Sequence, residues 1–68
     1  MRLRSPSLGF VIDVRLRRVE GVWLSGADTP EGQTIGFGDR SLNALVMALE
    51  PFDPLIEELI RSTGNDLP

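Results

Sequence analysis

The chain has 68 residues, with seven Arg and no Lys set against ten carboxylates, for a formal net charge of −3. It contains no Cys and no His, which excludes disulfides, zinc fingers and iron–sulfur centres and removes the usual soft or borderline metal ligands. The same absences, with Lys and Tyr also missing, remove the commonest general base and the thiol nucleophile, so only Asp, Glu, Arg, Ser and Thr could do chemistry.

A chain of this length is expected to form one domain and to bury only about 60% of the surface it exposes when unfolded. Small cores of this kind usually need a staple, and with disulfides and metals excluded, a partner subunit or a second protein is the remaining one. No apolar run approaches the ~20 residues of a membrane span, and Met-Arg-Leu-Arg is not followed by a signal-type apolar stretch, so a cytoplasmic location is the default. Charge is uneven: residues 1–18 hold five Arg against Asp13, and residues 19–68 hold two Arg against nine carboxylates.

In chain order, residues 1–9 carry Pro6, Gly9 and two Ser and read as a flexible N-terminal arm, ahead of a single domain over 10–64 and a tail over 65–68. From Phe10 the pattern alternates. Phe10, Ile12, Val14 and Leu16 point one way, and Val11, Asp13, Arg15 and Arg17 the other, as in a half-buried strand. Arg18 to Gly21 supplies a turn and Val22 to Ser25 a second strand, with Trp23 and Leu24 on opposite faces. GADTPEGQ, dense in turn formers, is expected to be a solvent loop. TIGFG then gives a third short strand, with Ile35 and Phe37 on one face and a bare glycine face opposite, a place where another backbone could come close. Gly36-Phe37-Gly38 lacks the remaining residues of a phosphate loop.

A helix is expected from about Ser41, with Asp39 or Ser41 as N-cap, and a stripe of Leu42, Leu45, Val46 and Leu49 against the sheet. Met47 points away from that stripe. Pro51 disfavours helical geometry at Glu50 and cannot donate to the Met47 carbonyl. Asp53 followed by Pro54 is a start signal, so a turn over Pro51 to Asp53 and a second helix from Pro54 to about Thr63, closed by Gly64, are predicted. One continuous kinked helix is the alternative. The second segment sets Leu55, Ile56, Leu59 and Ile60 on one side and a Glu57–Arg61 pair on the other.

Three surfaces invite a functional reading. Four large aliphatics in under three turns exceed what a three-stranded sheet with one helix can cover, so Leu55, Ile56, Leu59 and Ile60, with Met47 and Trp23, are the candidate partner-binding residues. Arg15, Arg17 and Arg18 form the candidate nucleic-acid surface, whose competing reading is the solvated outer face of an antiparallel sheet. Trp23 shares that outer face if Leu24 faces the helix, and is core if the register is shifted by one. Glu57 and Glu58 diverge on a helix, Asp28 and Glu31 lie in a loop, and no base stands beside a Ser or Thr. Neither a catalytic residue, a metal, a cofactor nor a small-molecule substrate is expected.

The order of elements, two strands ending in GVWL, a Pro-Gly loop, a short strand and then GDRSLNALVMAL, resembles the core of the HicB-like antitoxins over Phe10 to Glu50. Gly38, Asp39, Leu42, Ala44 and Leu45 carry most of the similarity, and ADTPEGQ stands where the family has PDLPGC. The resemblance implies a β-β-β-α layer and, by extension, toxin sequestration. The combined expectation is an α+β domain: a three-stranded antiparallel meander followed by two C-terminal helices. Functionally it is expected to be a small non-enzymatic interaction or regulatory module, a homodimer joined through the C-terminal helix, with antitoxin and nucleic-acid regulator as alternatives.

Overall fold

The computed structural model describes residues 1–7, 9–63 and 67. The fold is α+β, a four-stranded antiparallel sheet followed by two short helices. The strands are β1 (Arg2–Leu3), β2 (Ile12–Val19), β3 (Val22–Thr29) and β4 (Gly32–Gly38), in spatial order β1-β2-β3-β4. The expected meander thus gains a strand at its outer side. Leu3 pairs with Ile12 and is fully buried, Arg2 pairs with Asp13, and Met1 exchanges bonds with Val14 (2.7 and 2.8 Å). The start of the supposed arm is held because Leu3 fills the place beside Ile12 that a three-stranded sheet would leave open.

Both hairpins turn on two residues. At the first, Glu20 (φ 51°) and Gly21 (φ 82°) take the left-handed region, which matches the twist of the flanking strands. The second closes Thr29 onto Gly32, where the Thr29 hydroxyl donates to the Gly32 carbonyl (2.7 Å) and accepts from the Glu31 amide (3.1 Å). Most of the expected solvent loop is therefore strand. Its polar residues were misleading because they alternate: Ala27 goes into the core while Asp28 faces out, pairing with Arg15 on β2 (3.3 Å) and Gln33 on β4 (2.9 Å).

α1 (Ser41–Ala48) lies under β3 and β4. Its buried face is Ser41, Ala44, Leu45 and Ala48, continued by Leu49, whereas Leu42 and Val46 of the expected stripe are exposed. The glycines explain the rotation. A Cβ on Gly36 would collide with the Ala44 carbonyl and stand 2.6 Å from the Ala48 amide, and one on Gly38 would meet Asn43 Cβ at 2.7 Å. With no side chains on that face of β4, the helix backbone settles against the strand, and only small residues fit between. Thr34 seals the contact by donating its hydroxyl to the Ala48 carbonyl (2.7 Å), one of the acceptors a helix C-terminus leaves unpaired. The N-cap position falls on Arg40, without a side-chain cap bond, so neither Asp39 nor Ser41 plays that part.

Pro51 ends the helix as expected on steric grounds, and a 3₁₀ turn over Glu50–Phe52 follows. Phe52 enters the core and its ring lies 6.0 Å from that of Phe10. This anchor draws the chain off the α1 axis, so α2 (Ile56–Arg61) is a separate helix and the kinked alternative is set aside. α2 starts two residues later than Pro54, with Leu55 rather than Asp53 at the N-cap position. Leu59 joins Leu3, Ile12, Val14, Leu45, Leu49 and Phe52 in one core cluster. Polar bonds tie α2 to the N-terminal segment: Ser5 donates to Glu58, and the Arg4 amide to the Ser62 hydroxyl at 3.1 Å. Gly64, expected as the helix stop, and most of the 65–68 tail lie outside the described residues.

Two glycines of the sheet should therefore respond oppositely to alanine. Gly36→Ala must push α1 off β4 and is expected to destabilise by about 3 kcal/mol or more. Gly26, with nothing within 4 Å of its missing Cβ, should tolerate alanine or gain up to ~1 kcal/mol. Denaturant unfolding of the two variants beside wild type checks both.

Candidate functional site

The close seating of α1 decides what faces water. Because the glycine side of β4 is the packed side, Ile35 and Phe37 project from the opposite face, 75% and 57% exposed. Pair registers place the residues of this outer face in rows across β2, β3 and β4. Arg17, Leu24 and Phe37 form one row, Arg15, Gly26 and Ile35 the next, and Asp13, Asp28 and Gln33 a third. Val19 and Val22 extend the apolar end beside the first hairpin turn. Gly26 leaves a gap in the middle row, and an open groove of about 420 Å³ lies there, walled by Arg15, Arg17, Leu24 and Ile35.

Charge on this face is graded. At one end Asp13 pairs with Arg2 (3.2 Å) and Asp28 with Arg15 (3.3 Å); exposed pairs of this kind contribute little to stability but neutralise the carboxylates. Arg17 has no ion-pair partner among the described residues. The face thus runs from paired charges, through a free guanidinium, to a band of exposed aliphatic and aromatic groups. An apolar band rimmed by polar residues is the usual signature of a recognition surface rather than of a solvated sheet face.

The structure distributes the sequence-derived site residues over different places. Arg15 and Arg17 lie together on the outer face, but Arg18 is opposite Trp23 in the register, on the other side of the sheet. The proposed three-arginine surface therefore holds two, because strand alternation turns every second side chain away. Trp23 is half-buried on the helix side, at the N-terminal end of α1, where it lines a depression with Arg40 and Leu42. Leu24 is the residue that faces out.

Met47 lies at the free edge of β4, where its Sδ accepts a bond from the Phe37 amide (3.4 Å), and it is 41% exposed. The ridge on the C-terminal helix is corrected at Leu59. Leu59 is 0% exposed, Ile56 and Ile60 pack against the core, and Leu55 is half-buried. With Leu3 and Phe10 added to the core from the N-terminal side, α2 has more apolar surface to cover, and Leu55, Ile56 and Ile60 keep part of theirs exposed.

The residues that sequence reasoning missed are Leu24, Ile35 and Phe37 as an exposed set. Their signal was present in the glycines: a strand face without side chains is the one a helix can approach, so its apolar alternates must point outward.

Among the described residues no group of three or more Asp or Glu is placed to hold a metal ion, and no helix is long and apolar enough to cross a membrane. Comparisons with protein-family models, with curated proteins and with solved structures found no match.

Leu59→Asp provides a direct check on the assignment of α2. A carboxylate at a fully buried position is expected to unfold the domain or destabilise it by about 3 kcal/mol or more. Circular dichroism should show loss of the folded signal; a well-folded variant would place α2 back at the surface.

Proposed function

We propose that the domain is a small non-enzymatic protein-interaction module whose recognition surface is the solvent face of the sheet, centred on Leu24, Ile35 and Phe37 and flanked by Arg15 and Arg17. The observation that carries this reading is the side-by-side exposure of Ile35 and Phe37, the two most exposed large hydrophobic residues among the described residues. An apolar contact of this kind gives affinity by shedding water, and an adjacent unpaired guanidinium orients a carboxylate-bearing partner. Toxin sequestration, which the resemblance to HicB-like antitoxins implies, would be one form of this function. The observed order of meander and helix, with α1 starting just after Gly38-Asp39, is compatible with it.

The double substitution Ile35→Ser with Phe37→Ser removes the apolar band without touching the packed face. It is expected to abolish specific co-purification of partners from the native cell while leaving the unfolding transition in place. A partner set identical for wild type and variant overturns the proposal.

A second reading, binding of single-stranded nucleic acid, is favoured by one observation: Phe37 stands in the same row as Arg17, with Leu24 between. An exposed aromatic beside guanidinium groups on an open sheet offers a base a stacking platform and its phosphate a counter-charge. The net charge of −3 works against it. If it holds, oligonucleotide binding falls steeply as salt is raised and is lost in Arg15→Ala with Arg17→Ala; absence of binding at low salt in a fluorescence titration removes it.

A further inference from the structure

β4 is the last strand of the sheet, so one of its two backbone edges faces away from β3. The Phe37 amide identifies which groups lie on that edge, since it donates to Met47 rather than to the ladder. Antiparallel pairing alternates with a period of two, so the backbone groups of Gln33, Ile35 and Phe37 point outward, and those of Gly32, Thr34, Gly36 and Gly38 bond to β3. Natural sheets guard such edges with Lys, Pro or inward charges. From Gly32 to Gly38 there is no charge and no proline. α1 covers only the face beneath, with Met47 masking a single donor.

We infer that this edge pairs with the β4 edge of a second copy of the chain, antiparallel about a two-fold axis at Gly36, joining two sheets into one. In that register Ile35 lies opposite the second copy's Phe37, and Phe37 opposite its Ile35. The most exposed apolar groups of the two molecules then cover each other as cross-strand pairs. Any shift that set Ile35 against Ile35 would leave each Phe37 beside Gln33 and would bring Glu31 opposite Asp39, like charge to like.

The Gly36 centre also brings opposite charges together. Arg40, just beyond the end of β4, comes within one residue of Glu31 in the turn that opens the second copy's strand. Neither has an ion-pair partner within its own chain among the described residues. The contact is isologous, so each end supplies the same pair. Met47 lies below the seam and is placed to meet its counterpart once the Phe37 amide takes a backbone acceptor.

This inference deepens the proposed interaction role by naming a partner, and rests on the same exposed residues, Ile35 and Phe37. Ile35→Pro tests it sharply. The Ile35 amide takes no part in the β3–β4 ladder, so proline there spares the fold but removes a donor from the edge and obstructs a neighbouring strand. Sedimentation of the full chain at micromolar concentration is expected to give twice the 7.5 kDa monomer mass for wild type. For Ile35→Pro it should give a single mass with unchanged circular dichroism.

As a second measurement that does not depend on proline being tolerated, Arg40→Glu should weaken the dimer at least tenfold, and Glu31→Arg added to it should restore association. A monomeric wild type, a dimer indifferent to Ile35→Pro, or failure of the charge swap to rescue overturns the pairing. A monomer that still captures another protein through Ile35 and Phe37 defeats the pairing alone and leaves the interaction role standing. A β4-dependent dimer that captures nothing else upholds the pairing and overturns only the recognition of a different protein.

Discussion

The close contact between the α1 backbone and the glycine face of β4 is the constraint on which the rest of the molecule depends. A helix normally rests on a sheet through its large side chains, and those side chains keep the two backbones well apart. Here Gly36 and Gly38 remove one layer, and Ala44 and Ala48 thin the other. Dispersion contacts between backbone and methyl groups then work beside Leu45 and Leu49, the half of the leucine stripe that stays buried. The helix must turn to present its small residues, and that rotation carries Leu42, Val46 and Met47 outward. On the strand the same choice sends Ile35 and Phe37 to the far face. One steric fact thus fixes both the packing of the core on this side and the composition of the surface.

On the other side of the core the chain is held differently. β1, the segment after it and α2 have no glycine–alanine seam. They are joined by buried Leu3, Phe52 and Leu59, by the partly buried Phe10, and by polar bonds from Ser5 and Arg4 to Glu58 and Ser62. These bonds link residues near the two ends of the described chain, so they close a very long loop, and loop entropy rises only slowly with length. The consequence is that α2 packs on the core through Leu59, and the most exposed large apolar side chains among the described residues lie on the sheet.

The sheet was largely legible in the sequence, because the alternation from Phe10 to Arg17 has only one physical reading and the glycines of TIGFG marked a close approach. Two helices divided near Pro51 were legible for a similar reason, since a proline without a donor cannot sit inside a helix. What could not be read locally depended on contacts between distant segments. Leu3 has no periodic neighbours to mark it as a strand residue until Ile12 lies beside it. The leucine-rich pattern of α1 concealed the packed face of the helix: hydrophobicity nominated Leu42 and Val46, whereas clearance above Gly36 selected Ala44 and Ala48. The apolar residues of α2 were counted correctly as a surplus over a three-stranded sheet. The fourth strand and Phe52 absorbed that surplus, and the unburied remainder appeared on β4.

Exposed apolar surface on an unguarded edge strand is a hazard unless it is matched to something. Side chains and backbone on β4 are exposed together: Ile35 and Phe37 project from the face, while their own amide and carbonyl groups lie along the free edge. A partner that covers only the side chains leaves the backbone groups to water, and one that pairs only with the backbone leaves the hydrophobic groups uncovered. An added strand carrying apolar residues on alternate positions satisfies both at once. β4 itself is such a strand, which is why a second copy is the simplest occupant of its edge. The same requirement constrains any different partner: it must present an extended segment with apolar groups two residues apart, and Arg17 at the rim favours one that ends in a carboxylate.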